Sequence, residues 1–157
     1  MKNAYYYETK LGKIIIAEDS NQITDLSIAD QFHDDAIEMN ETELLKEAGK
    51  QLIEYLDGKR SEFTVPLNPQ GTDFQRRVWG ILKQIPYGET RSYKQVAEAI
   101  GNPKASRAVG MANNRNPIML MIPCHRVIGS NGSLVGYAGG LPLKELLLKL
   151  EKDLERK

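Results

Sequence analysis

Three short runs near the start of the chain, Tyr5 to Thr9, Lys13 to Glu18 and Ile23 to Ile28, are rich in β-branched and aromatic residues, with polar positions interspersed. Leu11-Gly12 and Asn21-Gln22 stand between them where turns belong, so the pattern predicts a small antiparallel sheet. The period then changes. From Thr42 to Asp57, Leu45, Ala48, Leu52, Ile53 and Leu56 recur at helical spacing, with Thr42 as the cap and Gly58 as the stop. This helix is expected to cover the sheet. Pro66, Pro69 and Gly71 interrupt the chain and set the expected boundary between an N-terminal lobe, 1–69, and a C-terminal lobe, 70–157.

The second half reads as helices. Thr72 caps one that runs to about Lys83, with Phe74, Val78, Ile81 and Leu82 on one face and Trp79 beside it. Pro86-Tyr87-Gly88 makes a tight turn, and Ser92 opens a helix to Ile100. Gly101-Asn102-Pro103 breaks that helix, and another follows from about Lys104 to Asn113. Helix, glycine-containing turn, helix is the helix-turn-helix pattern, although a plain αα-hairpin has the same outline. After Asn116-Pro117 the apolar run Ile118 to Ile122 reads as a buried strand, and Leu143, Leu147, Leu150 and Leu154 mark a final helix. The fold class expected is α+β: a small sheet with a covering helix, then a mainly helical lobe.

Charge separates the two lobes. Residues 1–69 hold 7 Lys and Arg against 14 Asp and Glu, and residues 70–157 hold 14 against 7, so a net charge of zero hides an acidic front and a basic back. Between Thr90 and Asn116 there are five basic residues, Arg91, Lys94, Lys104, Arg107 and Arg115, and one acid, Glu98. A basic face on a helix-turn-helix is the footprint of a polyanion such as DNA. Ala105, Ser106, Ala108, Gly110 and Ala112 surround Arg107 with small side chains, so that helix can approach a surface closely, with Arg107 projecting. A single cysteine excludes an internal disulfide framework, and the few potential zinc ligands make a metal or other cofactor unexpected. No apolar run near the start suits a signal peptide or membrane span, which suggests a soluble, cytoplasmic protein.

That one thiol, Cys124, stands in Ile122-Pro123-Cys124-His125-Arg126-Val127. A free thiol with a pKa near 8.5 is only about 3% thiolate at neutral pH, so a reactive cysteine needs a base or a positive charge beside it. His125 and Arg126 could supply both. On these residues alone an inert buried cysteine stands as the alternative. Glu151, four residues after Leu147, falls on the edge of the last helix's apolar stripe, where a carboxylate needs a partner or solvent.

The run from Ile122 through Gly129, followed by Gly136-Tyr137-Ala138-Gly139-Gly140-Leu141 and Lys144 to Glu151, resembles the methylated-DNA–protein-cysteine methyltransferases, the O6-alkylguanine-DNA alkyltransferases. Further matches are Phe74-Gln75 with Val78-Trp79, Pro86-Tyr87-Gly88 with Ser92-Tyr93, Gly101-Asn102-Pro103, Arg107-Ala108-Val109-Gly110 and Asn116-Pro117, covering about residues 72 to 151. The resemblance implies single-turnover transfer of an alkyl group from O6 of a flipped-out guanine, with O4 of thymine as a further candidate, to the protein's own cysteine. It makes Cys124 nucleophile and acceptor, His125 the base acting through a water, and Glu151 the carboxylate that orients it. Asn116 would brace the active-site turn, and Tyr93 would donate a proton to the departing guanine and crowd the phosphate. Arg107 would replace the extruded base in the stack. Ser92, Ala105, Ser106, Arg115 and Arg126 would also meet DNA, while Val127, Tyr137 and Ala138 would line the base pocket.

The implied partner is duplex DNA carrying O6-alkylguanine, bound by a monomer through the minor groove. Asn113 and Met119 stand where some relatives carry an apolar residue and a proline, which leaves the tolerated alkyl size open. Alkyltransferase-like proteins, which bind the lesion without transfer, are the alternative within this fold, and they typically carry another residue at the cysteine. A cysteine hydrolase is the alternative outside it, although Cys-His adjacency in sequence is a poor signal for one.

Overall fold

The computed structural model describes residues 2–132 and 140–155. The chain divides into two compact units, Met1–Gln70 with Pro117–Met121, and Gly71–Asn116 with Ile122–Lys157.

In the first unit, β1 (Lys2–Thr9), β2 (Gly12–Asp19) and β3 (Gln22–Ile28) form an antiparallel meander. A fourth strand, β4 (Ile37–Met39), adds in parallel to β1 and gives the order β3-β2-β1-β4. Its three residues are too few to show a period of two, so the sequence pattern did not mark it. Helix α1 (Glu43–Leu56) starts where the Thr42 hydroxyl accepts from Leu45 N–H, and it buries Leu45, Ala48, Leu52, Tyr55 and Leu56. Ile53, expected in that apolar set, is exposed. The Tyr7 hydroxyl lies 2.9 Å from both the Glu41 carboxylate and the Leu45 carbonyl oxygen, which pins β1 to the start of α1. Across the sheet, Ala4, Ile15 and Ala17 form a small cluster under Phe32 and Ile37.

The run Ile118 to Ile122 does not form the expected strand. Ile118 makes one isolated parallel bridge to Leu26, with hydrogen bonds from Leu26 N–H to Pro117 O (2.9 Å) and from Met119 N–H to Leu26 O (3.1 Å). Leu120 then takes a left-handed conformation (φ 72), which no strand contains. The run is apolar because it is buried.

The second unit is built from α2 (Asp73–Leu82), α3 (Tyr93–Ala99), α4 (Ser106–Asn114) and α5 (Leu141–Glu155), with a two-residue parallel pair, β5 (Arg91–Ser92) and β6 (Val127–Ile128). Thr72 with Gln75, and Ser92 with Gln95, form capping boxes that start α2 and α3. Gly101, at φ 82, permits the turn that carries the chain from α3 to α4. Val78, Trp79, Leu82, Val96, Ala97, Val109 and Ala112 are buried, and the Trp79 indole donates to the Ala112 carbonyl at 2.9 Å. Mutual contacts among all three pairs thus tie α2, α3 and α4 into one body.

Candidate active site

Cys124, His125 and Arg126 make a single 3-10 turn between Pro123 and β6. Two amide side chains fix it from the end of α4: Asn116 Nδ2 donates to the Ile122 carbonyl at 2.7 Å, and Asn113 Nδ2 to the Cys124 carbonyl at 3.3 Å. The carbonyls on both sides of Pro123 and Cys124 are therefore held, and the peptide bearing the thiol cannot swing. Asn116 was expected to brace this turn; Asn113 was read as a pocket residue only. Beyond the turn, Val127 pairs with Arg91 and Ile128 with Ser92, which ties the exit from the cysteine to the start of α3.

All three residues of the turn are buried, with His125 at 0% and Arg126 at 7% exposure. His125 Nε2 lies 2.6 Å from Glu151 Oε2. Arg126 meets the same carboxylate as a fork, Nε to Oε1 at 2.8 Å and Nη2 to Oε2 at 3.0 Å, while Nη1 donates to the Ile85 carbonyl at 2.7 Å. The Gly88 N–H adds a weaker bond to Oε1 at 3.3 Å. Burial alone would push the Glu151 acid up, but His125 and Arg126 together bring it down to about 2, so the group is a fixed anion. Burial holds the His125 ring below its ordinary range, opposed by Glu151 and reinforced by the positive charges of Arg126 and Lys144. With a carboxylate as acceptor at Nε2, the neutral ring carries its proton there and presents the Nδ1 lone pair. Such a ring is a base, oriented by an anion and uncharged at neutral pH.

Lys144 is fully buried, and the buried stripe of α5 is centred on Lys144, Leu147 and Glu151. Leu143 and Leu150 are half-buried, and the Leu154 side chain lies outside the described residues. Burial pulls the Lys144 amine down to about 8, against the opposing pull of Cys124. Its Nζ sits 5.8 Å from the centre of the Tyr93 ring. Burial, then the negative charge of Cys124, raises the Tyr93 phenol, which keeps it protonated. The sequence signals for Lys144 are its place at the head of the Lys144 to Glu151 match and its position three residues before Leu147, on the buried edge of α5.

Arg107 and Arg115 are exposed on and just after α4, and Ala105, Ser106 and Ser92 are half-buried at the N-terminal ends of α4 and α3. Arg126, expected to meet DNA, points inward to Glu151 instead, because a buried carboxylate that offers both oxygens to the guanidinium fork is a better partner than solvent. Val127 is buried next to the turn, and Met119 is buried in the first unit. Tyr137 and Ala138 lie outside the described residues. An open groove runs between Thr72, Phe74 and Gln75 of the α2 start and Ala108, Met111 and Arg115 of α4, and none of Cys124, His125 or Glu151 lines it. Among the described residues no cluster of His, Cys, Asp and Glu could hold a metal ion.

Known proteins resemble this chain along both of its halves. Residues 73–153 match the family model for the DNA-binding domain of 6-O-methylguanine DNA methyltransferase, and residues 3–69 match that for its ribonuclease-like domain. The methylated-DNA–protein-cysteine methyltransferase of Methanosarcina acetivorans is 51% identical over 154 residues, covering 94% of this chain and 97% of that protein. The constitutive one of Bacillus subtilis is 48% identical over 152 residues, with 92% of each chain covered. The crystal structure of Mycobacterium tuberculosis OGT in complex with DNA superposes with a TM-score of 0.92 at 43% identity, covering 97% of this chain and 94% of that one. With both halves matched by one family's domains and full-length relatives at about half identity, the chain belongs to the methylated-DNA–protein-cysteine methyltransferases.

Proposed function

We propose that this protein repairs DNA by direct reversal, moving the alkyl group of O6-alkylguanine onto Cys124. The observation that carries the reading is the buried turn in which the only cysteine directly precedes a histidine held at 2.6 Å by a buried glutamate. His125 takes the thiol proton at Nδ1, and Glu151 stabilises the imidazolium that results. The thiolate attacks the alkyl carbon; the S–C bond forms, the C–O6 bond breaks, and the electron pair passes to guanine. Tyr93, kept protonated by its surroundings, gives its proton to the departing base and is reprotonated in turn, so the net proton moves from sulfur to guanine.

The target atom is out of a thiol's reach inside a duplex, so the nucleotide must be extruded, with exposed Arg107 filling the gap from the small-sided face of α4. The protein acts on duplex DNA as a monomer in the cytoplasm, a compartment that keeps a single thiol reduced. The presence of Cys124 favours transfer over lesion binding without chemistry. The product is an unactivated thioether and the chain has no second thiol, so one molecule repairs one lesion.

The test is incubation with duplex DNA bearing O6-methylguanine, followed by intact-mass and peptide analysis. One methyl group on Cys124 and no further turnover is the expected result; label elsewhere, or sustained turnover, refutes the reading. In the same assay Arg107→Ala should slow duplex repair far more than reaction with free O6-benzylguanine, which needs no extrusion. Equal losses on both would remove Arg107 from the extrusion step.

A further inference from the structure

Glu151 has more to do than a histidine needs. One carboxylate serves both the ring at Nε2 and the guanidinium fork of the very next residue, and that second partner is the unexpected one. Resting on the transfer reaction above, we propose that Arg126 is a positioning residue of the active site: it locks Glu151 as a bidentate anion and thereby keeps His125 an uncharged base at rest.

The geometry accounts for the choice of arginine. The planar fork spans both carboxylate oxygens at 2.8 and 3.0 Å and so sets the plane of the carboxylate, which in turn aims one Oε2 lone pair at His125. The remaining arm is anchored on the Ile85 carbonyl at 2.7 Å, and the guanidinium carbon lies 5.6 Å from the Tyr87 ring centre, so the clamp is held from the loop after α2. A lysine could match the charge but not the fork.

The charge balance accounts for the effect on the ring. A buried histidine whose only ionic neighbour is a carboxylate at 2.6 Å would tend to become its imidazolium partner, and an imidazolium cannot accept a thiol proton. Arg126 neutralises that carboxylate in advance and adds a like charge beside the ring. The groups around His125 are Cys124 and Arg126 from its own turn and Glu151 and Lys144 from α5, with Tyr93 of α3 under Lys144. Glu151 alone favours protonation; burial first, and then both cations, oppose it. Because an arginine keeps its charge at any accessible pH, the bias does not titrate away.

The chain contains two histidines, so imidazole NMR titration of the full-length protein reads His125 directly, with His33 as internal reference and no dependence on alkyl transfer. In the wild type the His125 midpoint should lie below the ordinary value of about 6.5 despite the adjacent carboxylate. Arg126→Gln should raise it by about one pH unit or more, Arg126→Lys should raise it much less, and the His33 signal should not move. The acid limb of the single-turnover transfer rate should rise with the NMR midpoint, while affinity for undamaged duplex DNA changes less than about two-fold. An unmoved midpoint in folded Arg126→Gln overturns the proposal, as does a five-fold or greater loss of DNA affinity with the midpoint unchanged, which would make Arg126 a DNA contact. Should Arg126→Gln fail to fold, the wild-type titration decides: a His125 midpoint above 7 overturns it. Loss of transfer in the wild type with the predicted midpoints intact would refute the reaction and leave the electrostatic role standing.

Discussion

Glu151 accepts hydrogen bonds from three different residues, His125, Arg126 and Gly88, and only one of its oxygens faces the histidine. Glu151→Gln keeps the shape but removes the anion that stabilises the imidazolium, and it leaves Arg126 facing a neutral amide. Transfer should slow by about 10²-fold at neutral pH, the size of a general-base contribution, with DNA affinity nearly unchanged. Rapid-quench rates on methylated duplex check this; wild-type rates in folded Glu151→Gln would remove the carboxylate from the mechanism. The Cys-His pair and Asn116 were legible in the sequence because their motif is specific and local. Arg126 and Lys144 were not, since a charged residue in a sequence reads as solvated unless the burial of its neighbours is known, and here both are buried by the fold. Asn113 escaped for a related reason: its amide acts on a backbone carbonyl, and such bonds leave no pattern along the chain.

Among the elements, the capped helices were the most legible. Thr72 and Ser92 each precede a glutamine by three residues, and both capping boxes form. The three antiparallel strands also followed from turn positions, whereas β4 and the Ile118 to Ile122 segment did not, because neither short length nor continuous apolarity separates a strand from a buried irregular segment. Gly49 shows a constraint that a helical pattern alone conceals. It lies inside α1, where alanine would favour the helix by about 1 kcal/mol, yet a Cβ there would sit 2.5 Å from the Tyr7 ring, whose hydroxyl is held by Glu41 and Leu45. Gly49→Ala should therefore destabilise the protein by about 1–3 kcal/mol, measured by urea unfolding, and a gain in stability would show that β1 can move away from α1 at little cost.

For the molecule as a whole, the active site sets a pH dependence of stability. The Glu151 acid is lowered from 4.5 to about 2, so the unfolded chain binds its proton first as pH falls, and the stabilisation present above 4.5 is lost toward 2. His125 acts on the same side: its ring is held neutral in the fold, so below about 6.5 the unfolded state is again the one that gains the proton. Urea midpoints should fall gently between pH 6.5 and 4.5 and more steeply below, with the Glu151 share worth on the order of 3 kcal/mol at neutrality. Glu151→Gln should flatten the steep part; an unchanged slope would assign acid lability to other carboxylates. The −7 and +7 halves were visible in the sequence, but not the return of the chain to the first unit at Pro117–Met121. That return gives the protein an order of completion during synthesis. Strand β3 pairs at Ile23 with Pro66 and Asn68 and at Leu26 with Pro117 and Met119, so a ribosome that has released residues 1–70 has released a sheet whose last edge is half made. The N-terminal unit is finished only when the polypeptide has been translated almost to its cysteine, and a gene cut between the two units would deliver two products, one of which lacks part of its own edge.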